Sequence, residues 1–85
     1  MGLSAATKEA ITFTKGICNQ TNFHQYQLMR LPEAPEIETY IIESGLPPGG
    51  VGEPGCPPIA PALGNAIFNL TGTRVRKLPI SLNDV

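Results

Sequence analysis

The longest regular pattern of apolar positions lies towards the end of the chain. Ile59, Ala62, Leu63, Ala66, Ile67 and Leu70 recur at i, i+3, i+4, i+7, i+8 and i+11. That spacing sets them in one stripe along a helix, so a helix is predicted over Ile59 to Thr71. Pro58 can cap its start. Pro61 is tolerated in the first turn, where its missing N–H has no intrahelical partner. Gly72 is a natural stop in the left-handed conformation. Phe68 lies outside the stripe, on the opposite side at ~100° per residue, with Gly64 one turn before it. The helix therefore carries apolar groups on two sides. One side is expected to pack on the chain's own sheet, and the other, with Phe68, needs a partner from elsewhere.

The period-two patterns are shorter. Ala10-Ile11-Thr12-Phe13-Thr14, Lys15-Gly16 and Ile17-Cys18-Asn19-Gln20 predict a β-hairpin with Lys15-Gly16 as its two-residue turn. In that register Phe13 faces Cys18 and Ile11 faces Gln20. Thr21 to Leu31 permits a strand, and Pro32 and Pro35 then enforce an irregular link. Glu36-Ile37-Glu38-Thr39-Tyr40-Ile41-Ile42-Glu43 reads as the best strand, apolar on both faces at its centre, as in a central strand. Gly2 to Lys8 allows one or two helical turns, and Arg74 to Ile80 a last short strand with Pro79 near an edge. Ser81 to Val85 reads as a frayed tail. The expected fold is α+β: a small, mainly antiparallel sheet holding the hairpin and the Glu36–Glu43 strand, with one main C-terminal helix packed on it. Residues 1–85 form a single small domain in this reading.

Between that strand and the helix lies Gly49-Gly50-Val51-Gly52-Glu53-Pro54-Gly55-Cys56-Pro57-Pro58. One carboxylate sits in a stretch built almost wholly of Gly and Pro. Proline fixes the local path, and glycine permits unusual backbone angles and close approach of another surface. On composition alone the stretch fits a stiff linker as well as a loop that holds Glu53 in place. A general base must be held within reach of its proton, which makes Glu53 the candidate catalytic residue.

Pro47 to Gly55, Pro57 to Phe68 and Thr71 to Pro79 together resemble the C-terminal end of a molybdenum hydroxylase large subunit. This is the xanthine oxidase and aldehyde oxidoreductase family, and the match is in particular to its isoquinoline 1-oxidoreductase beta-subunit branch. Gly2-Leu3-Ser4-Ala5-Ala6, Asn22-Phe23-His24 and Arg30 to Glu36 fit the same region. The resemblance covers nearly the whole chain but only a small terminal part of the family's subunit. It implies that Glu53 is the glutamate beside the molybdenum, taking a proton from the hydroxyl whose oxygen attacks an aldehyde or N-heterocycle carbon. It also implies that Gly50, Val51 and Gly52 lie beside the cofactor. A molybdopterin-molybdenum cofactor is implied for the complete enzyme and none for the isolated chain, which is expected to be inactive alone. The implied partners are the remainder of the molybdopterin-binding subunit and an iron–sulfur subunit. The alternative is a stand-alone, non-catalytic interaction module on the same scaffold, with homo-oligomers when isolated.

Composition narrows the rest. Charged residues make up 15% of the chain, with nine Gly and nine Pro. Ordinary globular chains hold about 25% charged residues. So little charge suits a segment from a larger interior, and also an ordinary small domain. The net charge of −1 recommends no nucleic-acid partner. Arg74, Arg76 and Lys77 lack aromatic interleaving and read as a solvated strand edge. There is no run of about 18 apolar residues, hence no membrane span. The N-terminus lacks a basic region followed by an apolar core, so no signal peptide is expected within the chain, and a bacterial cytoplasmic or periplasmic setting stays open. Cys18 and Cys56 lack metal-site spacing, and with His24 as the only histidine a zinc site is not expected. Glu33, Glu36, Glu38 and Glu43 read as solvated carboxylates. Asn69-Leu70-Thr71 fits a glycosylation acceptor pattern by accident.

Overall fold

The computed structural model describes residues 1–81 and 83. In chain order the regular elements are helix α1 (Gly2–Thr7), strands β1 (Phe13–Thr14) and β2 (Ile17–Cys18), two 3-10 turns (Phe23–Gln25 and Leu31–Glu33) and helix α2 (Ile59–Thr71). The fold is α+β: a two-stranded antiparallel sheet and one main helix. None of the helices among the described residues is long and apolar enough to cross a membrane.

The hairpin has the predicted register, Phe13 opposite Cys18 and Thr14 opposite Ile17. Lys15 and Gly16 both take positive φ, 51° and 79°, as a type I′ turn requires. Beyond the two-residue arms, Asn19 N–H still donates to Thr12 C=O at 2.9 Å. The Gln20 side chain then takes over, its Oε1 accepting from Thr12 N–H at 2.7 Å. A side chain thus ends the ladder where a longer strand would continue.

Helix α2 has the predicted bounds. Gly72 sits at φ 75° and donates its N–H to Phe68 C=O at 2.8 Å. Its packing differs from expectation in two ways. The helix packs on α1, and no contact joins it to the hairpin, whose short arms offer too little surface. Helix α1 offers small residues instead. A Cβ on Gly2 would stand 2.9 Å from Ile59 Cγ1 and 3.4 Å from the Cys56 backbone, so glycine is what lets the helices close. The inward stripe is also rotated: Ile59, Leu63 and Ile67 turn in together with Ala60, Gly64 and Phe68, while Ala62, Ala66 and Leu70 face out. Phe68 is not left without an internal partner. The Arg74 guanidinium lies over its ring, 3.4 Å from the centroid, a cation–π contact.

Helix α1 is the hub. Among the described residues Ala6, Ile67 and Ile80 are the buried apolar ones, with Ser4 also buried. Ile80 N–H donates to Ala6 C=O at 2.7 Å, and Met29 N–H donates to Ser4 Oγ at 3.0 Å. The last segment is therefore pinned to α1. Arg74 to Ile80 forms no strand: among the described residues its one backbone tie goes to a helix end and no strand lies beside it.

Two further strand expectations fail. Within Thr21 to Leu31 the chain turns at Phe23–Gln25, because Asn22 Oδ1 accepts from Phe23 N–H and Gln25 Oε1 accepts from Thr21 and Asn22 N–H. Glu36 to Glu43 is in no sheet. A strand needs a neighbour, and among the described residues the two hairpin strands pair with each other and with no third strand. The expected frayed tail lies largely outside the described residues; Ser81, the described residue at its start, is half-buried.

Two carboxylates tie this frame together. Glu9 is held below the usual glutamate range by the Ser4 hydroxyl and by the Tyr26 hydroxyl, which donates to it at 2.8 Å. Glu33 is held low by its ion pair with Lys8 and by Arg30 N–H, which donates to it at 3.0 Å. Both ionise more readily folded than unfolded. Their contribution is present above about pH 4.3, the ordinary glutamate value, and is lost as pH falls through the depressed folded values. The hydrogen bond to Glu9 raises Tyr26, so its contribution is present below about pH 10 and lost as pH rises through the raised value. Near-ultraviolet tyrosine dichroism of the chain is expected to be flat through neutrality and to fall at both ends. A signal unchanged from pH 7 to pH 3 would count against these ties.

Candidate active-site loop

Glu53 opens a β-turn. Cys56 N–H donates to Glu53 C=O at 2.8 Å across Pro54 and Gly55, with proline in the second position where its fixed φ belongs. A second, longer contact, Ile59 N–H to Cys56 C=O at 3.4 Å, leads directly into α2. Gly2 abuts the Cys56 backbone from the other side. The backbone that carries Glu53 is thus tied to both helices within six residues of the start of α2.

The side chain itself is exposed, and among the described residues no donor or cation meets its carboxylate. Gly50, Val51 and Gly52 are exposed beside it, Val51 at 91%. None of the loop's glycines takes a positive φ. A Cβ on Gly49, Gly50, Gly52 or Gly55 would meet nothing within 4 Å. The backbone freedom expected of these glycines is not used within this chain; what they provide is bare backbone facing outwards. A cleft of about 700 Å³ between α1 and the 28–37 segment reaches Gly55 and Ile59 but stops short of Glu53.

The other singled-out residues stay apart from the loop. Among the described residues no group of three or more His, Cys, Asp or Glu side chains could hold a metal. Glu33 is engaged with Lys8, and Glu38 accepts from the Tyr40 hydroxyl at 2.7 Å. Cys18 and Cys56 are both free thiols. Sequence reasoning missed the two local capping patterns, Asn22-x-x-Gln25 and Arg30-x-x-Glu33. In each, the last residue reaches back to the first residue's N–H, and the first pattern is readable from its Asn and Gln alone. It also missed Ile80 as a core residue.

No family profile and no solved structure matches the chain. Curated relatives do. The chain is 37% identical over 79 residues to the isoquinoline 1-oxidoreductase subunit beta of Brevundimonas diminuta, covering 93% of the chain and 10% of that protein. It is 37% identical over 84 residues to the membrane-bound aldehyde dehydrogenase (pyrroloquinoline-quinone) of Gluconacetobacter polyoxogenes, covering 99% of the chain and 11% of that protein. It is 28% identical over 88 residues to the putative xanthine dehydrogenase molybdenum-binding subunit of Escherichia coli K12, covering 95% and 12%. The chain spans about a tenth of the length of these relatives. Across nearly its whole length the chain is homologous to a short segment of these molybdenum hydroxylase large subunits.

Proposed function

We propose that this chain is the C-terminal part of a molybdenum-dependent oxidoreductase large subunit and carries the catalytic base, Glu53. One observation supports it above the others: a carboxylate with no partner among the described residues opens a hydrogen-bonded turn that is tied to two helices. An idle surface glutamate needs no such anchoring.

The residues present suit one wall of a cofactor site. Gly50, Val51 and Gly52 would lie against the cofactor through backbone alone, since nothing of this chain fills the space over the two glycines. The metal's own ligands would come from the remainder of the subunit. When bound, the molybdopterin-molybdenum group supplies the redox chemistry that turns an aldehyde or N-heterocycle into its hydroxylated product. Glu53 accepts the proton of the hydroxyl whose oxygen goes to the substrate carbon, and later releases it to solvent. The turn across Pro54 and Gly55 would fix the backbone from which the carboxylate projects. An iron–sulfur subunit would be the partner that takes up the electrons. The isolated 85-residue chain binds no molybdopterin and turns over neither substrate class in this reading.

The test is turnover of Glu53→Gln in the complete enzyme, with molybdenum content measured on the same sample. Pyrroloquinoline quinone is assayed alongside, because one relative's name carries it. That quinone in place of molybdenum would overturn the cofactor assignment.

A further inference from the structure

Residues 34 to 44 run from the second 3-10 turn to the bend at Gly45 without helix, turn or bend, and all of them are exposed. Ile37, Tyr40, Ile41 and Ile42 expose 76, 81, 85 and 88% of their surface. Among the described residues, the backbone from Glu36 to Glu43 makes no hydrogen bond. Yet one pair within the segment already has a strand's period of two. The Tyr40 hydroxyl reaches back to Glu38 Oε2 at 2.7 Å, a pairing that needs both side chains on one face. That face carries Glu36, Glu38, Tyr40 and Ile42; the other carries Ile37, Thr39, Ile41 and Glu43. Ile, Thr and Tyr favour strands. A row of unpaired N–H and C=O groups beside them is a template for another strand.

We propose that Glu36–Glu43 is a β-strand that inserts into a sheet formed by the rest of the large subunit, outside these 85 residues. This rests on the reading of the chain as a segment of that subunit. The occupant follows from length and charge. The relatives surround the matching segment with about nine times as much chain again. A second copy of this chain is a poor partner: centred antiparallel self-pairing sets Glu36 against Glu43 at both ends, and parallel in-register pairing stacks every glutamate on its twin. Like charges directly opposite are destabilising. The neighbour that fits presents Lys or Arg opposite Glu36 and Glu38, and apolar residues opposite Ile41 and Ile42. Apolar residues on both faces call for a covered, central position rather than an edge.

The experiment is amide hydrogen exchange over residues 37–43, read by mass spectrometry on the 85-residue chain and on the complete, metal-loaded large subunit that contains it. Exchange is expected to be fast in the short chain and at least about 100-fold slower in the subunit, as for a paired strand. Fast exchange in the folded subunit would overturn the proposal. Protection in the short chain alone, with a dimer in sedimentation, would assign the strand to a second copy and overturn it equally. The measurement needs no turnover, so it fails separately from the assignment of Glu53. A protected strand with a fully active Glu53→Gln enzyme would leave the strand and remove the base.

Discussion

Glu53→Gln in the complete enzyme is expected to lower turnover about 10²–10⁴-fold, the usual cost of losing a general base, with molybdenum content unchanged. Glutamine has the shape of glutamate but accepts no proton. Among the described residues no group bonds to the Glu53 carboxylate, so the substitution breaks no contact within this segment. The turn depends on the Glu53 carbonyl and Cys56 N–H, and these are untouched. The rate loss would therefore report chemistry rather than folding. Glu53→Asp draws the carboxylate back by one methylene while keeping its basicity, and should fall between the wild type and Glu53→Gln. Full activity of Glu53→Gln at normal molybdenum loading would remove the assignment. Loss of activity together with loss of the metal would make Glu53 a residue that holds the site, and would also remove it.

What could be read from the sequence was what neighbouring residues decide among themselves. The α2 bounds follow from Pro58, the apolar period and Gly72, all within the helix or next to it. The hairpin register follows from two turn residues. The irregular path around Glu53 follows from the Gly and Pro residues beside it. Facing and pairing depend on residues distant in sequence, and there the reading failed. The α2 stripe follows from apolar spacing alone, but the face that turns in is the one on which Ile59 meets Gly2 of the opposing helix, and Ala62 and Ala66 stay outside. Phe68 seemed to lack a partner because Arg74 was counted as a solvated strand residue. Glu36–Glu43 has the composition of a central strand, yet a strand forms only beside another, and none is offered by this chain. In the candidate site, the Gly- and Pro-rich stretch around Glu53 can be read as a loop, while the group that its carboxylate faces is set by residues distant in sequence.

Ile67→Ala is expected to abolish cooperative unfolding of the isolated chain, and Ile67→Val to preserve it. The reason is how little the chain buries. Its accessible surface is 7607 Å², whereas a compact protein of this mass exposes about 4,900 Å². Its radius of gyration is 16.3 Å, against about 12 Å for a compact domain of this length. Among the described residues fifteen large hydrophobic ones are exposed, and Ala6, Ile67 and Ile80 are the buried apolar ones. A core of that size supplies no more than about 3–5 kcal/mol. Removing most of a buried isoleucine costs about 2–5 kcal/mol, and trimming it to valine about 0.5–1.5 kcal/mol. The first cost matches the whole stability of the isolated fold; the second does not. Urea titration of the isolated chain by far-ultraviolet dichroism should show a transition for wild type and Ile67→Val and a featureless slope for Ile67→Ala. The same Ile67→Ala in the complete subunit should still give folded, soluble protein, because the surrounding chain then covers Ile37, Ile41, Ile42 and Val51 and adds burial that these residues lack alone. An isolated Ile67→Ala chain with the wild-type midpoint would show that the α1–α2 contact is not what holds this segment together.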